Sequence, residues 1–160
     1  IRLSLVGSEM CIRDRLYIMA HTMTKRIHEI VELVSKAKTK DEKITILKQN
    51  ESQALKDVLV GAYHSNVQWN LPPGRPPFEA SEERSVPTNL LKQTRKFNDL
   101  IKGGPGDTLP AFKREQIFIR LIEMIHPKDA ELILAMVAKK QLAKGLTKKL
   151  AQEAFPGLIT

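Results

Sequence analysis

The chain of 160 residues carries 26 basic and 18 acidic residues, a formal net charge of +8 at pH 7 and a single cysteine. One cysteine excludes an internal disulfide framework and a cysteine-based metal site, and no apolar run reaches the ~18–20 residues of a membrane span. The excess of lysine and arginine predicts a surface that favours polyanions.

The first segment, SLVGSEMCIRDR at residues 4–15, differs from the rest of the chain. Its apolar residues keep neither a period of two nor one of 3.6, and charged residues interrupt the apolar core that a signal peptide needs. The segment resembles a translated adapter from sequencing libraries. We therefore expect residues 1–22 to be an artefactual or disordered leader, residues 23–160 to form one domain, and Met23, or else Met19, to be the true start. A natural disordered tail is the alternative.

Three amphipathic segments follow. Apolar residues spaced i, i+3, i+4 and i+7 between residues 24 and 37 predict a first helix. The pattern TKDE at residues 39–42 is typical of a capping box and predicts the start of a second helix. A third helix is predicted within residues 51–64. The predicted core residues of these helices are Ile27, Ile30, Val31, Val34, Ile44, Ile46, Leu47, Leu55, Val58, Leu59, Ala62 and Tyr63.

The segment Leu71–Pro87 contains five prolines and one glycine, which excludes regular structure through most of it. It is either a long ordered crossing loop or a flexible connector. A fourth helix is predicted from Thr88 to Ile101, ended by the sequence KGGPGD at residues 102–107. Its predicted core residues are Leu90, Leu91, Phe97, Leu100 and Ile101.

The last third of the chain is again helical in pattern. An apolar stripe predicts a helix within residues 112–125, Pro127 predicts the first turn of the next, and a short helix should end at Pro156-Gly157. The predicted core residues here are Ile117, Phe118, Leu121, Ile122, Ile125, Leu132, Ile133, Met136 and Val137. The predicted fold is all-α: a compact bundle of about seven helices with one long Pro-rich loop.

No arrangement of residues typical of an enzyme is found in the sequence. The glycines of KGGPGD lack the Gly-Lys-Ser/Thr of a Walker loop and are interpreted as turn formers. His28, His64 and His126 are scattered without ligand spacing, and the carboxylates are expected on solvated helix faces or in first turns, as for Asp129. We therefore expect no catalytic residue, no metal and no cofactor.

The stretch KKQLAKGLTKK at residues 139–149 holds five lysines and no acid. One interpretation is a solvated basic face that opposes the negative end of a helix dipole. The other is a phosphate site, in which Gly145 permits a turn, Thr147 caps a helix and lysines fill its first turn. The candidate DNA-binding residues of this stretch are Lys139, Lys140, Lys144, Gly145, Thr147, Lys148 and Lys149.

A second basic cluster lies around the predicted fourth helix and consists of Lys92, Lys96 and Lys102 together with Arg95. The i, i+4 spacing of Lys92 and Lys96 predicts that they share a helix face. Tyr63 and Trp69 are interpreted as core residues rather than base-stacking residues. Arg75 either reaches a phosphate or is solvated.

The segments HEIVELVSKAKTKDEKITILKQN, LKDVL, LPPG and AELILAMVAKKQLAKGLTKKLAQEAFPGLI together resemble the N-terminal DNA-binding domain of the ATP-dependent DNA ligases of T4-like bacteriophages. That resemblance implies an all-helical bundle that holds duplex DNA around a nick, mainly through backbone contacts in the minor groove. The family's glycine turn before its last helix maps to residues 144–148. Short stand-alone phage proteins are also similar. The ligase motif Lys-x-Asp-Gly is absent, so the chain is expected not to seal DNA.

The function expected from the residues and the resemblance is a non-catalytic, sequence-tolerant DNA-binding domain that contacts duplex or nicked DNA through its backbone. Phage replication proteins are further candidate partners, the expected location is the cytoplasm of the infected bacterial host, and no membrane association is expected. The alternative is a protein-interaction adaptor in a phage replication or assembly complex, which would dock its partner on the Pro-rich loop or an apolar groove.

Overall fold

Helices account for most of residues 25–160, the part of the protein that this computed structural model describes. The α-helices are α1 (Ile27–Lys36), α2 (Lys40–Gln49), α3 (Gln53–Tyr63), α4 (Leu90–Gln93), α5 (Ala111–Glu123), α6 (Pro127–Val137) and α7 (Lys148–Ala154). Two 3₁₀ helices, Thr94–Leu100 and Pro105–Thr108, lie between α4 and α5. No sheet forms among these residues, so the predicted all-α class is confirmed. The expected leader and the two candidate starts lie outside the described residues.

Side-chain caps define where several helices begin. Thr39 Oγ1 accepts a hydrogen bond from the backbone N–H of Glu42 at 3.2 Å, and the Glu42 carboxylate accepts one from the N–H of Thr39 at 3.2 Å. This is the reciprocal pattern of a capping box, which confirms the predicted start of α2. Ser52 Oγ caps α3 by accepting from the N–H of Leu55 at 3.1 Å.

The predicted apolar stripes meet in one core. Helix α1 packs on α2, α2 on α7, α3 on α6, and α5 on α6. The predicted residues that are buried are Ile27, Ile30, Val31, Val34, Leu47, Leu55, Val58, Leu59, Ala62, Leu90, Phe97, Leu100, Phe118, Leu121, Ile122, Ile125, Leu132, Ile133 and Met136. The others pack against that core while partly exposed: Ile44, Ile46, Tyr63, Leu91, Ile101, Ile117 and Val137.

The Pro-rich segment Leu71–Pro87 forms a loop without regular secondary structure, as predicted. The Arg75 guanidinium forms a two-point ion pair with the Glu131 carboxylate of α6, with N···O distances of 3.1 and 2.6 Å. Just past the loop, the N–H of Thr88 donates to the carbonyl of Met124 at 3.0 Å. These contacts lay the loop across α5 and α6.

The prediction of one α-helix from Thr88 to Ile101 was wrong. The α-helical part is only α4, and the chain then winds more tightly as a 3₁₀ helix to Leu100. The glycine loop packs directly on this tighter segment: a Cβ on Gly106 would lie 1.8 Å from the backbone oxygen of Asp99. The glycines of KGGPGD therefore permit close approach, which agrees with their interpretation as structural residues.

Packing brings together titratable residues that are far apart in the sequence. The imidazole rings of His28 and His126 are stacked with centroids 4.3 Å apart. Asp129 lies in the first turn of α6, as predicted, but it is 1% exposed and lies beside His28. The packing of α1 against the start of α6 brings these residues together from positions about a hundred residues apart in the sequence.

Candidate nucleic-acid interface

The glycine turn before α7 is held in a specific conformation. Gly145 has a φ of +80°, in the left-handed region that side chains other than glycine rarely adopt. A Cβ built on Gly145 would lie 2.1 Å from Nζ of Lys43 in α2. The absence of a side chain at residue 145 therefore lets a lysine ammonium from another helix rest on the backbone of the turn.

Neighbouring residues fix this turn from both sides. Thr147 Oγ1 accepts from the N–H of Leu150 at 3.3 Å, so the predicted cap of α7 is confirmed. The Tyr63 hydroxyl donates to the carbonyl of Leu146 at 2.5 Å and accepts from the N–H of Leu142 at 3.2 Å. Partial burial raises the pKa of Tyr63, opposed by the hydrogen bond from Leu142, so the hydroxyl keeps its proton at neutral pH.

A small basic cleft lies between α2 and the turn. It has a volume of about 210 Å³, several times the ~30 Å³ that one water molecule occupies, so a phosphate group fits. Its lining residues are Lys40, Lys43, Gly145, Thr147, Lys149 and Leu150. We call this the lysine cleft.

The three lysines of the lysine cleft differ in their electrostatic surroundings. Lys40 pairs with the Glu153 carboxylate of α7 at 2.6 Å, so part of its charge is neutralised. Lys43 and Lys149 have no carboxylate within ion-pair distance among residues 25–160. Two ammonium groups therefore remain available to an anion in the cleft.

Sequence reasoning missed Lys40 and Lys43. Their i, i+3 spacing within KDEK places them on one face of α2, and that spacing is the only signal the sequence offers. Nothing local shows that this face meets a turn about a hundred residues later, because the packing of α2 on α7 sets that contact.

The predicted residues near the turn separate into two groups. Gly145, Thr147 and Lys149 line the lysine cleft, whereas Lys144 and Lys148 flank it along the chain. Lys144 is exposed and Lys148 is partly exposed. Neither has an ion-pair partner in the described part of the chain.

Lys139 and Lys140 belong to other parts of the molecule. Lys139 lies just after α6 with a φ of +54°, and its ammonium donates to the carbonyls of Gly61 at 2.8 Å and His64 at 3.0 Å, at the end of α3. Partial burial there lowers the pKa of Lys139. Lys140 lines a groove of about 680 Å³ beneath the Pro-rich loop. The structure does not bring these two residues to the lysine cleft.

The second predicted cluster is less coherent than its spacing suggested. Lys92 lies in α4 and Lys96 in the 3₁₀ helix, so the shared face expected from α-helical i, i+4 geometry does not follow. Lys96 lines a groove of about 620 Å³ beside α5, together with the acidic residues Asp99 and Glu123. Lys102 is exposed just after the short bridge between residues 69 and 101. Carboxylates thus interrupt this basic surface.

The aromatic residues and Arg75 have structural contacts. Trp69 donates from Nε1 to the carbonyl of Gly61 at 3.1 Å and packs edge-to-face on Phe97 at 5.8 Å. Trp69 and Tyr63 both pack against the core, as predicted. Arg75 is engaged by Glu131.

Residues 25–160 contain no helix long and apolar enough to cross a membrane, and no cluster of three His, Cys, Asp or Glu residues suited to a metal ion.

Comparison with other proteins identifies a family. No curated protein matches the sequence. Residues 30–144, most of the chain, match the model of the family of unknown function DUF6433, and the protein therefore belongs to that family.

Proposed function

We propose that this protein is a non-catalytic DNA-binding domain that holds the phosphate backbone of duplex or nicked DNA in the lysine cleft. The observation that carries the proposal is that Lys43 and Lys149, from distant segments, line one cleft, with the Lys43 ammonium against the bare backbone of Gly145. The proposal depends on these ammonium groups rather than on the N-terminus of α7, which has only seven residues.

The chemistry of the cleft favours phosphate over a base edge. Lysine ammonium groups act as compact point charges that suit phosphate oxygens, and the cleft presents no guanidinium or amide side chain. Such contacts position a duplex without reading its sequence. The resemblance to phage ligase domains agrees, because their glycine turn maps to the same residues, 144–148.

The adaptor hypothesis has one supporting feature, the groove beneath the Pro-rich loop. It is lined by apolar residues of α5, α6 and the loop, but the Arg75–Glu131 ion pair lies at its edge. Within residues 25–160 the exposed large apolar side chains are Leu33 and Phe112, which lie on different helices, α1 and α5. Single exposed apolar residues of this kind are normal on monomeric proteins. DNA binding is therefore the better-supported function.

Fluorescence anisotropy with intact duplex, nicked duplex and single-stranded DNA over a salt series tests the proposal. We expect the log–log salt slope of the Lys43→Ala/Lys149→Ala variant to be smaller than that of the wild type by about one to two units. The matched control is Lys36→Ala/Lys48→Ala, which removes the same charge from exposed positions of α1 and α2 outside the cleft.

Two results would contradict the proposal. One is the absence of binding to every DNA form at low salt. The other is an equal loss of affinity in the cleft variant and the control, since that would show that only net charge matters. In either case the groove beneath the Pro-rich loop becomes the first place to seek a protein partner.

A further inference from the structure

A buried cluster of three titratable residues joins α1 to the start of α6. His28 and His126 are 8% and 9% exposed, and their rings are nearly parallel, with an interplanar angle of 19°. Asp129 Oδ1 accepts a hydrogen bond from the backbone N–H of His28 at 3.0 Å and lies 2.9 Å from His28 Nδ1. The hydrogen bonds and the ring stack together link the two helices.

The hydrogen-bond network fixes where the protons lie. His126 caps α6, because its Nδ1 accepts from the N–H of Lys128 at 3.1 Å, so the proton of the neutral ring is assigned to Nε2. His28 Nδ1 faces the Asp129 carboxylate and is assigned as the donor. Each imidazole thus has a different tautomer and a different partner.

We propose that this imidazole pair makes the junction between α1 and α6 sensitive to pH, so that protonation of His126 releases α1 from α6. A second ring proton on His126 would place an N–H against the N–H of Lys128 and abolish the cap. It would also put a positive charge on the positive end of the α6 dipole, in a buried position against the ring of His28.

The charged groups around His126 come from four segments. Arg26 precedes α1 and Glu83 lies in the Pro-rich loop, while His28 and Asp129 belong to the cluster itself. Burial is the main cause that lowers the pKa of His126, followed by the electrostatic effects of His28 and Arg26. Asp129 and Glu83 act in the opposite direction and are outweighed.

The remaining nearby charges belong to one ion pair across the same junction. Lys128 in α6 and Glu32 in α1 are joined at 3.1 Å, and both side chains are about half exposed. Each shifts the pKa of the other toward the charged form. Because both groups stay charged from pH 5 to 8, this ion pair does not itself change with pH in that range.

The sign of the pH effect follows from the lowered pKa. Above the ordinary histidine pKa of about 6.5, His126 is neutral in both the folded and the unfolded protein. As the pH falls below about 6.5, the unfolded chain takes up the proton before the folded chain does. The junction therefore loses stability as the pH falls from about 6.5 to the folded pKa, and the loss then levels off.

NMR titration of the full chain from about pH 7.5 to about pH 5 tests the inference on the wild type. We expect the His126 imidazole to titrate below its ordinary range, and the hydrogen-exchange protection of α1 amides to fall severalfold more than that of α3 amides. In His126→Asn, the amide oxygen keeps a cap acceptor that does not titrate, so the protection of α1 should become nearly independent of pH. The control His64→Asn changes a histidine outside the cluster and should behave as the wild type.

The inference is overturned if His126 titrates at its ordinary pKa in the folded wild type. It is equally overturned if a folded His126→Asn variant loses α1 protection with falling pH as much as the wild type does. The wild-type titration decides the question even where the variant does not fold.

Discussion

Gly145 illustrates how one residue serves two requirements at the candidate site. Its left-handed φ of +80° costs most residues about 1–2 kcal/mol, and its missing side chain makes room for the Lys43 ammonium. Gly157 has nearly the same φ, +81°, but a Cβ there would meet no atom within 4 Å. A side chain at either glycine would strain the backbone, but only a side chain at Gly145 would also contact Lys43.

Substituting each of these glycines with alanine gives a matched comparison. We expect Gly145→Ala and Gly157→Ala to lower the thermal unfolding midpoint by similar amounts, about 2–8 °C, because both strain the backbone. Only Gly145→Ala should also weaken DNA binding in anisotropy, because its Cβ displaces the Lys43 ammonium from the turn. Equal DNA affinity of the two variants would show that the contact with Lys43 has no role in binding.

Lys139 shows why residue type alone did not identify the lysines of the cleft. Within residues 25–160, Lys139 is the one residue other than glycine that has a positive φ. Its ammonium donates hydrogen bonds to carbonyls at the end of α3. The N–H of Lys139 donates to the carbonyl of Met136 at 3.1 Å, and that of Lys140 to Ala135 at 2.9 Å, the pattern of a Schellman motif. Adjacent lysines in one run thus have different roles, which only tertiary packing distinguishes.

At the level of elements, local patterns predicted most helices and failed where packing dominates. The capping box of α2, the cap of α7 and the apolar stripes of α1, α3 and α5 are local features, and each was predicted correctly. The 3₁₀ segment Thr94–Leu100 was predicted as α-helix because its apolar spacing fits both windings. Its tight winding accompanies the close packing of the glycine loop on residues 98 and 99, a contact that the sequence does not reveal.

The ion pair between α2 and α7 provides an element-scale prediction. Replacing Glu153 with glutamine frees Lys40 at the lysine cleft, so we expect Glu153→Gln to bind duplex DNA more tightly at low salt, in anisotropy measurements. The lost pair is partly solvent-exposed, so the free energy of unfolding should fall by only about 0–1 kcal/mol.

The control for this prediction is Glu51→Gln, which removes the same charge from an ion pair with Lys56 outside the cleft. A gain in affinity that is equal in both variants would show that net charge, rather than the position of Glu153, is responsible. A gain confined to Glu153→Gln would locate the bound phosphate near Lys40.

For the whole molecule, the net charge of +8 predicts attraction to polyanions in general but does not say where on the surface they would bind. The fold offers a candidate place by bringing α2 against the turn that precedes α7. Three of the predicted residues, Gly145, Thr147 and Lys149, line the resulting cleft, while Lys139 and Lys140 are directed elsewhere. The sequence therefore predicted the turn, and the structure shows that α2 lies opposite the turn and completes the cleft.

The most direct test of this account is an NMR chemical-shift titration of the full chain with a short DNA duplex. We predict that the largest amide shifts occur at the start of α2 and at residues 145–149, and that added salt reverses them. Shifts confined to the groove beneath the Pro-rich loop, or no shifts at low salt, would contradict the assignment of the lysine cleft as the DNA-binding site.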